Sequence, residues 1–208
     1  RLAVLSTMNI ANIVSHARNK NIPWRTVIRD TWRWVFPYRK VALQPFFSVV
    51  SILFHISIII TPLFLAAHIM LWQRGTGLSW PAIPQAAADY LTLLAIVTAA
   101  IVFVKRVSTR DTRVLSRLQD YVLPLLIMVP FASGYLAMHP TSNPFDYNAT
   151  MFVHVMSGNA ILVLMPFSKL AHAALFPATQ LVSEMGWHLA PGAGENVALT
   201  LGKENEPI

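Results

Sequence analysis

The 208-residue sequence contains no cysteine. Without thiolates it cannot hold an iron–sulfur cluster, attach a c-type haem covalently or build a Cys-ligated metal site, and no disulfide speaks for its compartment. Charge is also scarce. Asp, Glu, Lys and Arg make up 12% of the chain, roughly half the share in a soluble domain. Acidic residues are the scarcest, nine against sixteen basic, for a net charge of +7. A redox cofactor, if there is one, must be held by histidine, methionine or oxygen ligands.

What is abundant is apolar. Hydrophobic residues reach 55% and the mean hydropathy is +0.51. The apolar stretches are continuous rather than alternating, so they read as membrane-spanning helices and not barrel strands. The expected fold is an all-α, polytopic transmembrane helix bundle with four clear spans, at residues 45–72, 86–104, 118–138 and 150–175. Residues 1–44 read as a cytoplasmic, interfacial segment, 45–176 as the bundle and 177–208 as a cytoplasmic tail. Residues 23–36 carry Arg25, Arg29 and Arg33 at helical spacing. With Trp24, Val27, Ile28 and Val35 on the apolar side, they predict an amphipathic helix lying in a membrane interface or against a partner subunit.

Loop charges set the expected orientation. Residues 1–40 hold eight Lys/Arg and 105–117 hold five; 73–88 hold one, Arg74, and 139–149 none. The positive-inside rule then places residues 1–40, 105–117 and the C-terminus in the cytoplasm of a cell inner membrane. The basic balance reads as topology and contact with anionic lipid, not nucleic-acid binding.

Four histidines fall inside the spans: His55, His68, His154 and His172. Ionisable residues at membrane depth are costly and default to a functional reading. His154 and His172 are eighteen positions apart, five turns of an ideal helix, so a continuous span would put both on one face roughly 27 Å apart. His55 and His68 are thirteen apart, which leaves them about 140° apart in azimuth on an ideal helix. Pro62 between them is expected to turn the chain and re-aim His68. With this topology the four form two depth-matched pairs, His55 with His172 on the inner side and His68 with His154 on the outer. Paired imidazoles on facing helices match bis-histidine ligation of two b-type haems. Small neighbours such as Ser57, Ala66, Ala67, Ser157 and Gly158 would let a porphyrin approach. Arg74 outside, and Arg39, Lys40, Lys105, Arg106 and Lys169 inside, are the basic groups available for propionates. Trp72, Trp80, Asp89 and Tyr90 gather near the outer pair as a candidate quinone pocket. His139 lies at the outer end of span three. No residue is assigned a catalytic role of its own.

Two stretches carry a resemblance: SILFHISIII around His55, and VHVMSGNAILVLMPFSKLAH, which holds both His154 and His172. Over roughly residues 45–180 the chain resembles the gamma-subunit-like membrane cytochrome b of respiratory nitrate reductase and its sulfite-reduction- and heterodisulfide-reductase-associated relatives. The resemblance implies a five-helix layout whose first helix lies upstream of Arg1. It also implies two haem b, a quinol-linked oxidoreductase complex of anaerobic respiration, and a cytoplasmic iron–sulfur partner subunit. Quinol, menaquinol among the candidates, would be oxidised near the outer haem. The Pro62-bearing spacing of the first histidine pair departs from the nitrate reductase pattern and favours the sulfite- or heterodisulfide-linked branch. The alternatives are a haem-free membrane anchor and a transporter subunit using the histidines as a proton relay.

Overall fold

The computed structural model describes residues 2–17, 22–35, 38–189 and 192–202. Among the described residues there is no strand, and eleven α-helices account for most of the chain. They are α1 (Leu2–Ala17), α2 (Trp24–Val35), α3 (Tyr38–Leu43), α4 (Pro45–Phe64), α5 (Ala66–Thr76), α6 (Gln85–Ser108), α7 (Arg110–Leu115), α8 (Leu118–Met138), α9 (Tyr147–Leu164), α10 (His172–Trp187) and α11 (Ala193–Leu201). Four segments are long and apolar enough to cross a membrane: Pro45–Phe64, Gln85–Ser108, Leu118–Met138 and Tyr147–Phe167. The protein is a multi-pass membrane helix bundle. The chain divides into two compact units, residues 40–164 and residues 1–39 with 165–208.

In the first unit α4 packs on α6, α6 on α8, and α8 on α9. Small side chains line these seams. α4 contributes Ser57 and Thr61, and α6 contributes Ala88, Thr92, Ala95, Thr98 and Ala99, all buried. In lipid, apolar burial does not distinguish one neighbour from another, so close backbone approach and hydrogen bonding decide helix pairing. The buried hydroxyls of Ser57, Thr92, Thr98 and Ser133 donate to carbonyls one turn back. Ser57 therefore belongs to the α4–α6 seam, being fully buried. The opposite faces carry exposed Ile52, Ile56, Ile59 and Leu63. In water that stripe would be an aggregation hazard; in a bilayer it meets acyl chains.

The membrane ends are built from charge. Asp120 accepts from the Arg117 backbone N–H at 2.9 Å, capping α8. It also lies 3.3 Å from Arg106 at the end of α6. With only 7% of Asp120 exposed, this contact ties two helix ends where acid suits an N-terminus and base a C-terminus.

In the second unit, α10 packs against α1 and α2. Its core is Ile22, Val27 and Met185, with Leu181 and Leu189 against them. α2 presents three faces. Val27 is fully buried, while Trp24, Ile28 and Trp32 form one exposed stripe and Arg25, Arg29 and Arg33 another.

Candidate functional site

The first span does not run as one helix through His68. α4 continues past Pro62 and stops at Phe64. Leu65 is extended, at φ −71° and ψ 129°, and α5 then restarts at Ala66. This corrects the expectation that a Pro62 kink alone turns His68. A helix end leaves carbonyls with no donor from the helix itself, and each of the last four has a donor. Thr61 O accepts from Leu65 N at 3.0 Å and Phe64 O from Ile83 N at 3.0 Å. Leu63 O accepts from Trp80 Nε1 at 2.8 Å. Pro62 O accepts from His68 Nδ1 at 2.9 Å. Pro62 thus orients His68 through its carbonyl, not through the missing N–H.

His154 on α9 is held in the same way. Its Nδ1 lies 2.8 Å from Pro130 O on α8. A carbonyl only accepts, so Nδ1 of each ring carries a hydrogen, and in the neutral imidazole Nε2 then keeps its lone pair. This is the tautomer that ligates a metal through Nε2, with the second nitrogen anchored to the protein. The two rings lie together, with centroids 6.0 Å apart and planes 17° from parallel. Metal–nitrogen bonds of roughly 2 Å on either side of one ion would set ring centroids roughly 6 Å apart. The spacing of the two rings would allow both to hold a single metal. Among the described residues no group of three or more His, Asp or Glu could hold an ion by itself. Two imidazoles suffice where the metal arrives in an equatorial ring, as iron does in haem.

Gly134 on α8 makes the approach possible. A Cβ built there would lie 2.8 Å from His154 Cε1 and 3.0 Å from Nδ1. Gly158, one turn after His154, would meet nothing within 4 Å.

Among the candidate quinone-pocket residues, Asp89 lies against two polar side chains. It accepts from Gln85 Nε2 at 2.8 Å and lies 3.4 Å from His139 Nε2. His139 Nδ1 sits 2.9 Å from Tyr135 O, and the two rings pack at 4.3 Å. Tyr90 is 75% exposed on the next helical position. Trp72 packs against Trp80 at 6.2 Å. His139 carries the same Nδ1 anchor as the paired histidines, but its Nε2 faces a carboxylate and not another imidazole.

The inner histidines fall in different units. His55 Nδ1 is 2.7 Å from Ser51 O in α4. His172 Nδ1 is 2.5 Å from Lys169 O. The expected unbroken helix from His154 to His172 is not found. α9 ends at Leu164, two 3₁₀ turns follow at Met165–Phe167 and Lys169–Ala171, and His172 opens α10. Pro166 is the physical reason, since its ring has no N–H for the helix and clashes with the preceding turn. Ser168 caps the second turn by accepting from Leu170 N at 3.3 Å. Of the basic groups, Arg106 is engaged by Asp120 and Arg74 is exposed. The side chains of Arg39 and Lys40 lie outside those described, as do Glu204 and Glu206.

Sequence alone did not single out Gly134, the Pro130 carbonyl as the anchor of His154, or the His139–Asp89 contact. A glycine in an otherwise bulky apolar span is the signal that points to Gly134.

No protein-family model matches the chain, and no solved structure matches it. The chain is similar to a protein of Nitratidesulfovibrio vulgaris described only as "Protein", 33% identical over 151 residues, covering 72% of this chain and 66% of that one.

Proposed function

We propose that the protein is a dihaem cytochrome b subunit of a membrane oxidoreductase complex, carrying electrons between the quinone pool and a cytoplasmic iron–sulfur partner. The observation that supports it is the His68–His154 pair, two imidazoles from α5 and α9 with centroids 6.0 Å apart and both Nδ1 atoms anchored. His68 and His154 would hold the outer haem and His55 and His172 the inner one. When bound, haem supplies an iron that changes oxidation state one electron at a time.

The chain's own residues have definable tasks in this reading. Pro62 O and Pro130 O fix the tautomer and aim of the outer ligands. Asp89, with His139 and Gln85, is a polar cluster at the same end of the bundle and suits the protons a hydroquinone must lose. Trp72 and Tyr90 are the aromatic candidates for contact with its ring. The low-charge span interior keeps water from the ligands. Residues 1–40 and 105–117 would face the cytoplasm and the partner. The resemblance to nitrate-reductase-type and sulfite-reduction-associated cytochromes supports anaerobic respiration as the setting, with the partner's substrate set by that partner.

The test is the colour of the purified protein. Reduced-minus-oxidised spectra should show b-type α-bands, with two haems per chain by pyridine haemochrome. A colourless, folded preparation would overturn the reading and return the chain to a haem-free anchor. One haem per chain would retain only one histidine pair.

A further inference from the structure

An open, shallow apolar groove of about 450 Å³ lies between α4 and α6, lined by Phe47, Val97, Ala100, Ile101 and Val104, with Lys105 and Thr109 where α6 ends. The four α6 residues repeat at i, i+3, i+4 and i+7, so they form one face of the helix. From Val97 to Lys105 the groove follows α6 for roughly 12 Å. One leaflet of a bilayer's hydrocarbon core is roughly 15 Å deep. The groove therefore has the length and wall chemistry for an acyl chain, and the cation stands at its interfacial end.

Charge pairing separates Lys105 from its neighbour. Arg106 turns inward to Asp120 at 3.3 Å and to Ser116 Oγ at 3.3 Å. Lys105 Nζ lies 3.0 Å above the Phe47 ring and 3.4 Å from Gln44 Oε1. Among the described residues no carboxylate pairs with it. A ring face and an amide oxygen orient an ammonium without neutralising it. Five basic residues lie between positions 105 and 117, and a cluster of that kind beside a span attracts anionic lipid.

We propose that this groove is a binding site for one anionic phospholipid, with its phosphate on Lys105 and an acyl chain along Val104, Ile101 and Val97. The site is independent of the haem reading and stands or falls without it.

The full chain, in nanodiscs of equal phosphatidylglycerol and phosphatidylcholine, is released and its retained lipid counted by native mass spectrometry. The wild type should retain phosphatidylglycerol over phosphatidylcholine by about five-fold, the scale of one interfacial lysine. Lys105→Gln should bring the two lipids to parity, and Lys105→Arg should keep the preference. Arg110→Gln, on an exposed neighbour, should also keep it. Ile101→Trp, which fills the groove, should lower retention of both lipids. Circular dichroism confirms that each variant is folded. The proposal is overturned if Lys105→Gln keeps the preference, or if Arg110→Gln lowers it equally, since the effect would then be diffuse charge. It is also overturned if Ile101→Trp leaves retention unchanged.

Discussion

The imidazoles of His68 on α5 and His154 on α9 lie together, with centroids 6.0 Å apart and each Nδ1 held by the carbonyl of a proline. On the proposed reading the two rings are ligands of one metal, and such ligands fail together. His68→Ala and His154→Ala should each lose the same haem, about half of the total by pyridine haemochrome, and the double variant should lose no more. Additive loss in the His68–His154 double variant would break the pairing.

Gly134 is the position at which a single methyl group should disturb that site most. The added Cβ would lie 2.8 Å from His154 Cε1, and the ring cannot swing aside without giving up Pro130 O. Gly134→Ala should cost about 1–3 kcal/mol in stability, the range for overpacking a tight contact. It should also change the low-spin ferric signal of one haem in electron paramagnetic resonance while leaving the other. Gly158→Ala, with open space around its Cβ, serves as the control and should do neither.

The four spans could be read from composition because long uncharged runs have one stable solution in lipid. All four span starts fall within three residues of the expected ones, and Pro45 and Pro84 mark two of the helix entries chemically. The approach of His68 to His154 was legible through depth, because Lys/Arg loop asymmetry sets which ends match. The interruption at Leu65 was not legible. An extended leucine inside an apolar run has no composition signal, and what stabilises it is Trp80 and Ile83 arriving from a later loop. The end of α9 was missed for a different reason: Pro166 stands in the sequence, but an apolar run with a proline in a membrane often continues, as α8 does through Pro124 and Pro130. The His139–Asp89 contact depends on the relative rotation of α6 and α8, which no single-helix pattern encodes.

Asp30 on α2 gives a pH prediction outside the spans. The hydrogen bond from Arg29 holds its carboxyl below the ordinary 3.8, with Arg33 adding attraction and partial burial opposing. A carboxyl with a depressed folded-state value stabilises the fold fully above its unfolded value and loses that effect as pH falls through the folded one. The window therefore lies at and below about pH 4. Exposed pairs of this kind are weak, so hydrogen-exchange protection of α2, normalised to intrinsic rates, should fall by at most about five-fold across it. In Asp30→Asn the acid-dependent change in α2 should vanish. An unchanged acid limb would assign it to another group.

Trp80 offers the sharpest test of how the broken first span is held. Its indole N–H donates to Leu63 O at 2.8 Å, and its ring packs on Trp72 at 6.2 Å. Trp80→Phe keeps an aromatic ring and removes the donor. Leu63 O would then lose the indole partner at a helix break, next to Pro62 O, which orients His68. The bond is exposed, so its loss should cost no more than about 0.5–1.5 kcal/mol, the net worth of one hydrogen bond. Because the four freed carbonyls are consecutive, loosening one should loosen the turn that carries the next. Thermal unfolding in detergent should shift down accordingly, and the outer haem's spectrum should broaden while the inner one is unchanged. If Trp80→Phe lowers stability without touching either haem, the loop 77–84 closes the helix end but does not position His68, and the Pro62 carbonyl alone does so.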